Sequence, residues 1–233
     1  MQLAGTKAVV FGGTSGIGLA TVEQLAARGA QVVAISRHPE RATLPDGVET
    51  RSCDVLDEAA VAAVLEECGP YDSLVSAATG GERAMGPFLE MDPAGFRKSF
   101  DKVWGYANVV RFGAKHLRES GSIVLVSGTP ARRIKPGLVA LGAAGAAVES
   151  LARSVAPELV PRRINVVAPG TIDTPINPLE GDARAEAFRR ATASHLIPRA
   201  GTADEVAAAI LFCLENDFVT GTTVDVDGGW LLA

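Results

Sequence analysis

Cysteine is scarce: Cys53, Cys68 and Cys213 are the only three in 233 residues, and their spacings are unrelated. Neither a disulfide framework nor a metal site is expected from such a set, and reduced core thiols are the plain reading. Basic residues are outnumbered, 22 Lys and Arg against 27 Asp and Glu, for a formal net charge of −5. Aromatics make up 5% of the chain and interleave with no basic stripe, which argues against a nucleic-acid partner. No run of about eighteen uninterrupted apolar residues occurs, so no membrane span is expected. The N-terminus has no basic stretch leading into an apolar run and a cleavage site. Internal repeats and low-complexity tracts are missing too. These absences leave a cytoplasmic protein acting on a small molecule as the expectation.

What is present is a core-forming, regularly alternating chain. Hydrophobic residues reach 47%, and no segment has linker composition, so a single domain over 1–233 is expected. Short β-branched runs predict strands at Lys7–Phe11, Gln31–Ile35, Val48–Ser52, Ser73–Ser76, Ser122–Val126, Arg163–Val167 and Thr222–Val226. Alanine-rich stretches predict helices at Gly16–Arg28, Glu58–Glu67, Asp92–Arg118, Leu138–Leu159 and Ala203–Leu214. Strands apolar throughout are buried on both faces, as in a parallel sheet covered by helices. The order predicts an α/β, doubly wound Rossmann fold: a three-layer sandwich around a mainly parallel seven-stranded sheet, with a ligand crevice beyond the carboxyl ends of its strands.

The first strand-to-helix turn reads Gly12-Gly13-Thr14-Ser15-Gly16-Ile17-Gly18. Glycine is needed where a backbone turns tightly and where it approaches a pyrophosphate without an intervening Cβ, and the helix that follows presents free N–H groups to the phosphates. Its place after an N-terminal apolar strand makes the dinucleotide reading specific. The second strand ends in Ser36-Arg37, without the acid that accepts from a ribose 2′-hydroxyl. A hydroxyl and a guanidinium suit a 2′-phosphate, so NADP(H) is the expected cofactor, with a solvated strand-end arginine as the alternative. Asp54, after the third strand, could accept from the adenine amino group.

The chain resembles the short-chain dehydrogenase/reductase family over essentially its whole length. Gly12–Gly18 matches the family's Gly-x-x-x-Gly-x-Gly. Arg163-Ile164-Asn165-Val166-Val167-Ala168-Pro169-Gly170 resembles its sixth strand and turn, Thr171-Ile172-Asp173-Thr174 its nicotinamide-contacting segment, and Asp225-Val226-Asp227-Gly228-Gly229 its C-terminal ending. The resemblance implies cofactor contacts from Gly12, Thr14, Ser15, Gly16, Ile17, Gly18, Ser36, Arg37, Asp54, Val55, Ala77, Ala78, Pro169, Gly170, Ile172 and Thr174. It also implies a homodimer or homotetramer, formed through the helices Asp92–Arg118 and Leu138–Leu159.

The catalytic positions depart from that pattern. Family carbonyl reductases use Tyr-x-x-x-Lys on the helix after the fifth strand, with a serine upstream. Aligning Gly145-Ala146-Ala147-Val148 with the family's Lys-Ala-Ala-Val puts Leu141 at the tyrosine, Gly145 at the lysine and Gly128 at the serine. Ser76-Ala77-Ala78-Thr79 stands for the family's Asn-Asn-Ala-Gly, and Lys102 for an active-site asparagine. Lys102-Val103-Trp104-Gly105 also resembles a Lys-x-Trp-Gly pattern in a divergent group of the family.

Lys102 could bind the cofactor ribose or act as an acid, against the alternative of a solvated helix lysine. Ser127 and Thr129 flank the vacant serine and could donate to a substrate oxygen, or simply satisfy backbone at the strand end. Arg132-Arg133-Ile134-Lys135 could attract an acidic substrate, but a solvated loop is the favoured reading. His195, in the lid-like segment Pro175–Pro198, reads as exposed; His38 and His116 carry no signal. The leading function is an NADP(H)-dependent oxidoreductase of a small carbonyl or imine compound with a nonstandard site. The alternatives are a redox-inactive nucleotide-binding protein and an enzyme of non-redox chemistry such as dehydration, isomerisation or cyclisation.

Overall fold

A computed structural model describes residues 2–79, 83–133 and 135–233. Seven strands form one sheet: β1 (Lys7–Phe11), β2 (Gln31–Ser36), β3 (Glu49–Ser52), β4 (Tyr71–Ser76), β5 (Leu117–Val126), β6 (Arg163–Pro169) and β9 (Thr223–Val226), in the order β3-β2-β1-β4-β5-β6-β9. Every neighbouring pair is parallel. The order reverses between β1 and β4, and the crevice of such a sheet lies at that point. A second, two-stranded pairing joins β7 (Ile172–Asp173) to β8 (Gly201–Thr202).

The helices α1 (Gly16–Ala27), α2 (Glu58–Cys68), α3 (Pro93–Lys98), α4 (Asp101–Gly113), α5 (Val139–Leu159), α6 (Gly181–Thr192) and α7 (Ala203–Glu215) complete the chain. Apolar side chains divide into two cores, one on each sheet face. Phe11, Ile35, Leu74, Ile123 and Ile164 face the layer of α2, α4 and α5; Val10, Ala34, Val75, Val124 and Val167 face α1 and α7. This alternation along strands apolar on both faces makes the three-layer sandwich. All three cysteines are buried and free.

One expectation changes. The single helix expected over Asp92–Arg118 is two helices, and Leu117 and Arg118 belong to β5. Pro93 opens α3 behind the Asp92 cap, whose carboxylate accepts from the amides of Ala94 and Gly95. Ser99 closes it: its hydroxyl donates to the Gly95 carbonyl and accepts from the Ala84 amide. Gly113 ends α4, with its carbonyl taken by the Tyr71 hydroxyl at 2.8 Å. By length and composition alone α5 is apolar enough to cross a membrane, although Glu149, Arg153 and Glu158 interrupt it. Here α5 packs on β6 and α4 and carries the buried Glu149.

Candidate functional site

The carboxyl ends of β1, β2, β4, β5 and β6 open onto a cleft of about 400 Å³. Its nucleotide end is shaped by backbone. Gly12 has φ +75°, and a Cβ there would lie 2.7 Å from the Ala78 amide nitrogen. A Cβ at Gly18 would lie 2.0 Å from the Gly12 carbonyl oxygen, so only glycine lets α1 start this close to the loop. Ser15 caps α1 without a side-chain hydrogen bond, leaving the first amides free for an anion. The loop is held to the sheet by the Gly12 amide donating to the Ile35 carbonyl (2.8 Å) and the Ala77 amide donating to the Phe11 carbonyl (2.9 Å).

Thr14, Ser15, Gly16, Ile17, Ser36, Arg37, Asp54, Val55, Ala77, Ala78, Pro169, Gly170, Ile172 and Thr174 all line this cleft with Gly12 and Gly18. The Ser36 hydroxyl is buried, with no hydrogen-bond partner among the described residues. Arg37 beside it is exposed, and no carboxylate among the described residues pairs with it. An orphaned hydroxyl beside an unpaired guanidinium fits a phosphate. His38 also lines the cleft there, although it gave no signal in the sequence.

The other end of the cleft runs into an inner cavity of about 150 Å³, and Thr79, Arg83, Lys102, Ser127, Pro169 and Gly170 line both. Leu141, Gly145 and Gly128 form its inner wall. Lys102 reaches the junction because α4 sits close to the cleft: a Cβ at Gly105 would lie 2.6 Å from Val55 Cγ2, and Asn108 Nδ2 donates to the Val55 carbonyl at 3.0 Å. That explains the glycine of Lys-x-Trp-Gly, whereas Trp104 is 64% exposed on the outer face. Lys102 Nζ donates to the Ser127 carbonyl at 2.9 Å. Burial, reinforced by the neighbouring Arg83 charge, pushes its pKa down to about 7.

The remaining candidates sort differently. Ser127 Oγ donates to the Gly145 carbonyl at 3.1 Å and lies 3.4 Å from Glu149 Oε1, so its proton points inward and its oxygen can only accept from a ligand. Thr129 is fully buried and lines neither cavity. Tyr71 is spent on Gly113, and the Tyr106 hydroxyl donates to the Val126 carbonyl at 3.0 Å. Arg132 pairs with Asp225 and Glu149, and Arg133 donates to the carbonyls of Trp230 and Ala233, while Arg132 and Lys135 are exposed, so the loop is solvated with its two arginines engaged. Ile134 lies outside the described residues. His195, expected exposed, is 6% exposed and stacked on Trp230 at 5.6 Å. Arg83 was the omission: nothing in the sequence marks a lone arginine in a loop as cavity-lining.

A parallel sheet that reverses order over a glycine cradle, with an open chemical end beside it, defines a dinucleotide-binding α/β oxidoreductase. The sequence model described as enoyl-(acyl carrier protein) reductase matches residues 12–231. The chain is 33% identical to the L-xylulose reductase of Mus musculus, over 99% of this chain and 98% of that one. It is 31% identical to the 2-keto-3-deoxy-L-fuconate dehydrogenase of Xanthomonas campestris pv. campestris, over 98% of this chain and 81% of the relative. A crystal structure of a small-chain dehydrogenase in complex with NADPH superposes with a TM-score of 0.88 at 32% identity, covering 98% of this chain and 99% of that one. The chain belongs to the short-chain dehydrogenase/reductase family, with that family's nicotinamide-cofactor-binding fold.

Proposed function

We infer that this protein is an NADP(H)-dependent reductase of small carbonyl or imine compounds in which Lys102 takes the proton-donating role. The observation that carries the reading is the Lys102 ammonium, enclosed where cleft and inner cavity meet and aimed by the Ser127 carbonyl. Ser36 and Arg37 would hold the 2′-phosphate, and the Gly12–Gly18 loop the pyrophosphate. The nicotinamide, when bound, supplies the hydride. Lys102 gives a proton to the substrate oxygen as negative charge grows there; a group titrating near neutrality suits that transfer. Leu141 and Gly145 can transfer no proton, and α5 contains neither tyrosine nor lysine. Fluorescence titration with NADPH and NADH, followed by NADPH oxidation against a carbonyl and imine panel, tests the reading. Tight NADPH binding with no turnover of any compound would leave a nucleotide-binding protein instead.

A homodimer or homotetramer belongs to the same proposal. Only a third of the apolar window of α5 is buried in the single chain, and Trp104 on α4 lies exposed. Sedimentation at micromolar concentration should give a dimer or tetramer; a stable monomer would refute it.

A further inference from the structure

We propose that the inner cavity selects small carbonyl compounds that carry a carboxylate, with Arg83 as the anchor for that carboxylate. The inference rests on the cavity being the substrate site of the proposed reductase. Its first support is charge. Two cations, Arg83 and Lys102, line the inner cavity, and among the described residues no acidic one lines it; behind its wall Glu149 lies 3.4 Å from Ser127 Oγ and is paired with Arg132 and Arg153. Among the described residues the larger cleft has one acid, Asp54, beyond β3. That is four strands from β5 in the sheet order, about 19 Å away at the usual strand spacing. Arg132 is held by Asp225 and Glu149 and Arg133 by the carbonyls of Trp230 and Ala233, and neither arginine lines the cavity. Two like charges lining one site, with the carboxylate behind its wall already paired to arginines, favour an anion.

Size and shape narrow the anion. A cavity of about 150 Å³ holds a molecule the size of benzene, about six heavy atoms. A phosphate group would use nearly all of that and leave no room for a carbonyl; a carboxylate uses three atoms. Arg83 stands at the rim, exposed as a residue; desolvation lowers its pKa, and a guanidinium keeps its charge in proteins. Its guanidinium fork matches a carboxylate bidentately. Lys102 is tethered deeper and stays free for the carbonyl oxygen. Leu141, Ala144 and Pro130 form an apolar wall for a short aliphatic remainder. The substrate's charge also assists the reaction, because an anion beside Lys102 opposes the Arg83 field and keeps the lysine protonated in the complex.

The test uses full-length protein loaded with NADPH. Calorimetry compares oxamate, an inert 2-oxo acid mimic, with neutral oxamide of the same size; oxamate should bind at least tenfold tighter, and Arg83→Met should erase that difference. Arg83→Lys, which keeps the charge and loses the fork, should restore part of it. In turnover, pyruvate should exceed its neutral isostere butane-2,3-dione by tenfold or more in kcat/KM, a ratio that falls toward one in Arg83→Met. Circular dichroism checks that the variants fold. Equal binding of oxamate and oxamide, with neutral ketones reduced, would overturn the carboxylate anchor and leave the reductase reading intact. Arg83-dependent oxamate binding without oxidation of NADPH by any carbonyl would support the anchor and remove the reductase. Binding of neither probe, with no turnover, would overturn both.

Discussion

The two ends of the cleft are built from different materials. At the nucleotide end the ligand would meet backbone: a glycine turn, free helix amides and two residues at the end of β2. At the chemical end it would meet side chains drawn from the β4 loop, α4, the end of β5 and α5. A backbone cradle survives only if the glycines stay where another backbone approaches, whereas a cluster of side chains can change members without disturbing the fold. The contrast is what the proposed reading needs: a glycine loop kept intact beside an α5 wall of Leu141 and Gly145.

The sharpest break in the comparison is Gly18→Ala. The new Cβ would lie 2.0 Å from the Gly12 carbonyl oxygen and 2.6 Å from its carbon, both backbone atoms that can yield only if the loop moves. NADPH affinity should fall by more than about a hundredfold, with a stability loss on the order of 1–3 kcal/mol from overpacking. Fluorescence titration and urea unfolding measure the two; full retention of NADPH binding would mean that the loop does not hold the cofactor.

Next in size is Lys102→Met, which should lower turnover by about a hundredfold or more, while Tyr71→Phe and Tyr106→Phe remain active, because both hydroxyls already serve backbone carbonyls. In the parent, kcat/KM should fall as pH rises through about 7, where free Lys102 loses its proton. The same residue sets a stability window. Folding lowers its pKa from 10.5 to about 7, so between those values the unfolded chain binds the extra proton and stability rises with pH. Below pH 7 the whole penalty of the buried charge is present. Lys102→Met should therefore stabilise most below pH 7, with the gain vanishing toward pH 10.5. Urea midpoints that differ by the same amount at every pH would show that Lys102 is not buried as a titrating group.

Smaller effects belong to the phosphate contacts. Arg37→Asp should weaken NADPH by roughly tenfold to a hundredfold and tip the preference toward NADH, the span expected for a charge-assisted bond. Ser36→Ala should weaken NADPH by a few-fold and leave the cofactor-free protein no less stable, because the hydroxyl it removes is buried without a partner. Unchanged NADPH affinity in both variants would return Ser36 and Arg37 to the ordinary end of a strand.

The same contrast governs how much was legible in the sequence. Strand periodicity located all seven strands of the sheet, and the glycine spacing located the tight turn between β1 and α1, because both are local patterns imposed by backbone geometry. The helix over Asp92–Arg118 was misread because apolar content continues across Ser99 and Gly113, while the breaks depend on the Asp92 cap and on Tyr71 reaching Gly113 from another strand. The short helix α6 was passed over because it is largely charged and buries only Thr192. Arg83 and the inward turn of Ser127 rest on contacts between elements distant in the chain, which no local spacing reveals. His195 looked like an exposed lid residue for the same reason: its partner, Trp230, is thirty-five positions away.

The smallest predicted effect comes from the matching substitution at the chemical end, Gly145→Ala. A Cβ here would meet Ala131 Cβ at 3.1 Å, which moves only with its backbone, and Ser127 Oγ at 3.2 Å, which can turn about its χ1 bond; each needs to give by only a few tenths of an ångström. Replacing glycine by alanine inside a helix gains about 0.8–1.0 kcal/mol of propensity. Against it stands the crowding of Ser127, whose hydroxyl bond to the Gly145 carbonyl is already 3.1 Å long and would have to bend. The two effects are of similar size, so the urea midpoint should move by less than the equivalent of about 1 kcal/mol in either direction, and NADPH affinity should not change. With Lys102 as the proposed proton donor, carbonyl reduction should persist within a few-fold. A loss of activity as large as that of Lys102→Met would show that the α5 wall, and not α4, carries the chemistry.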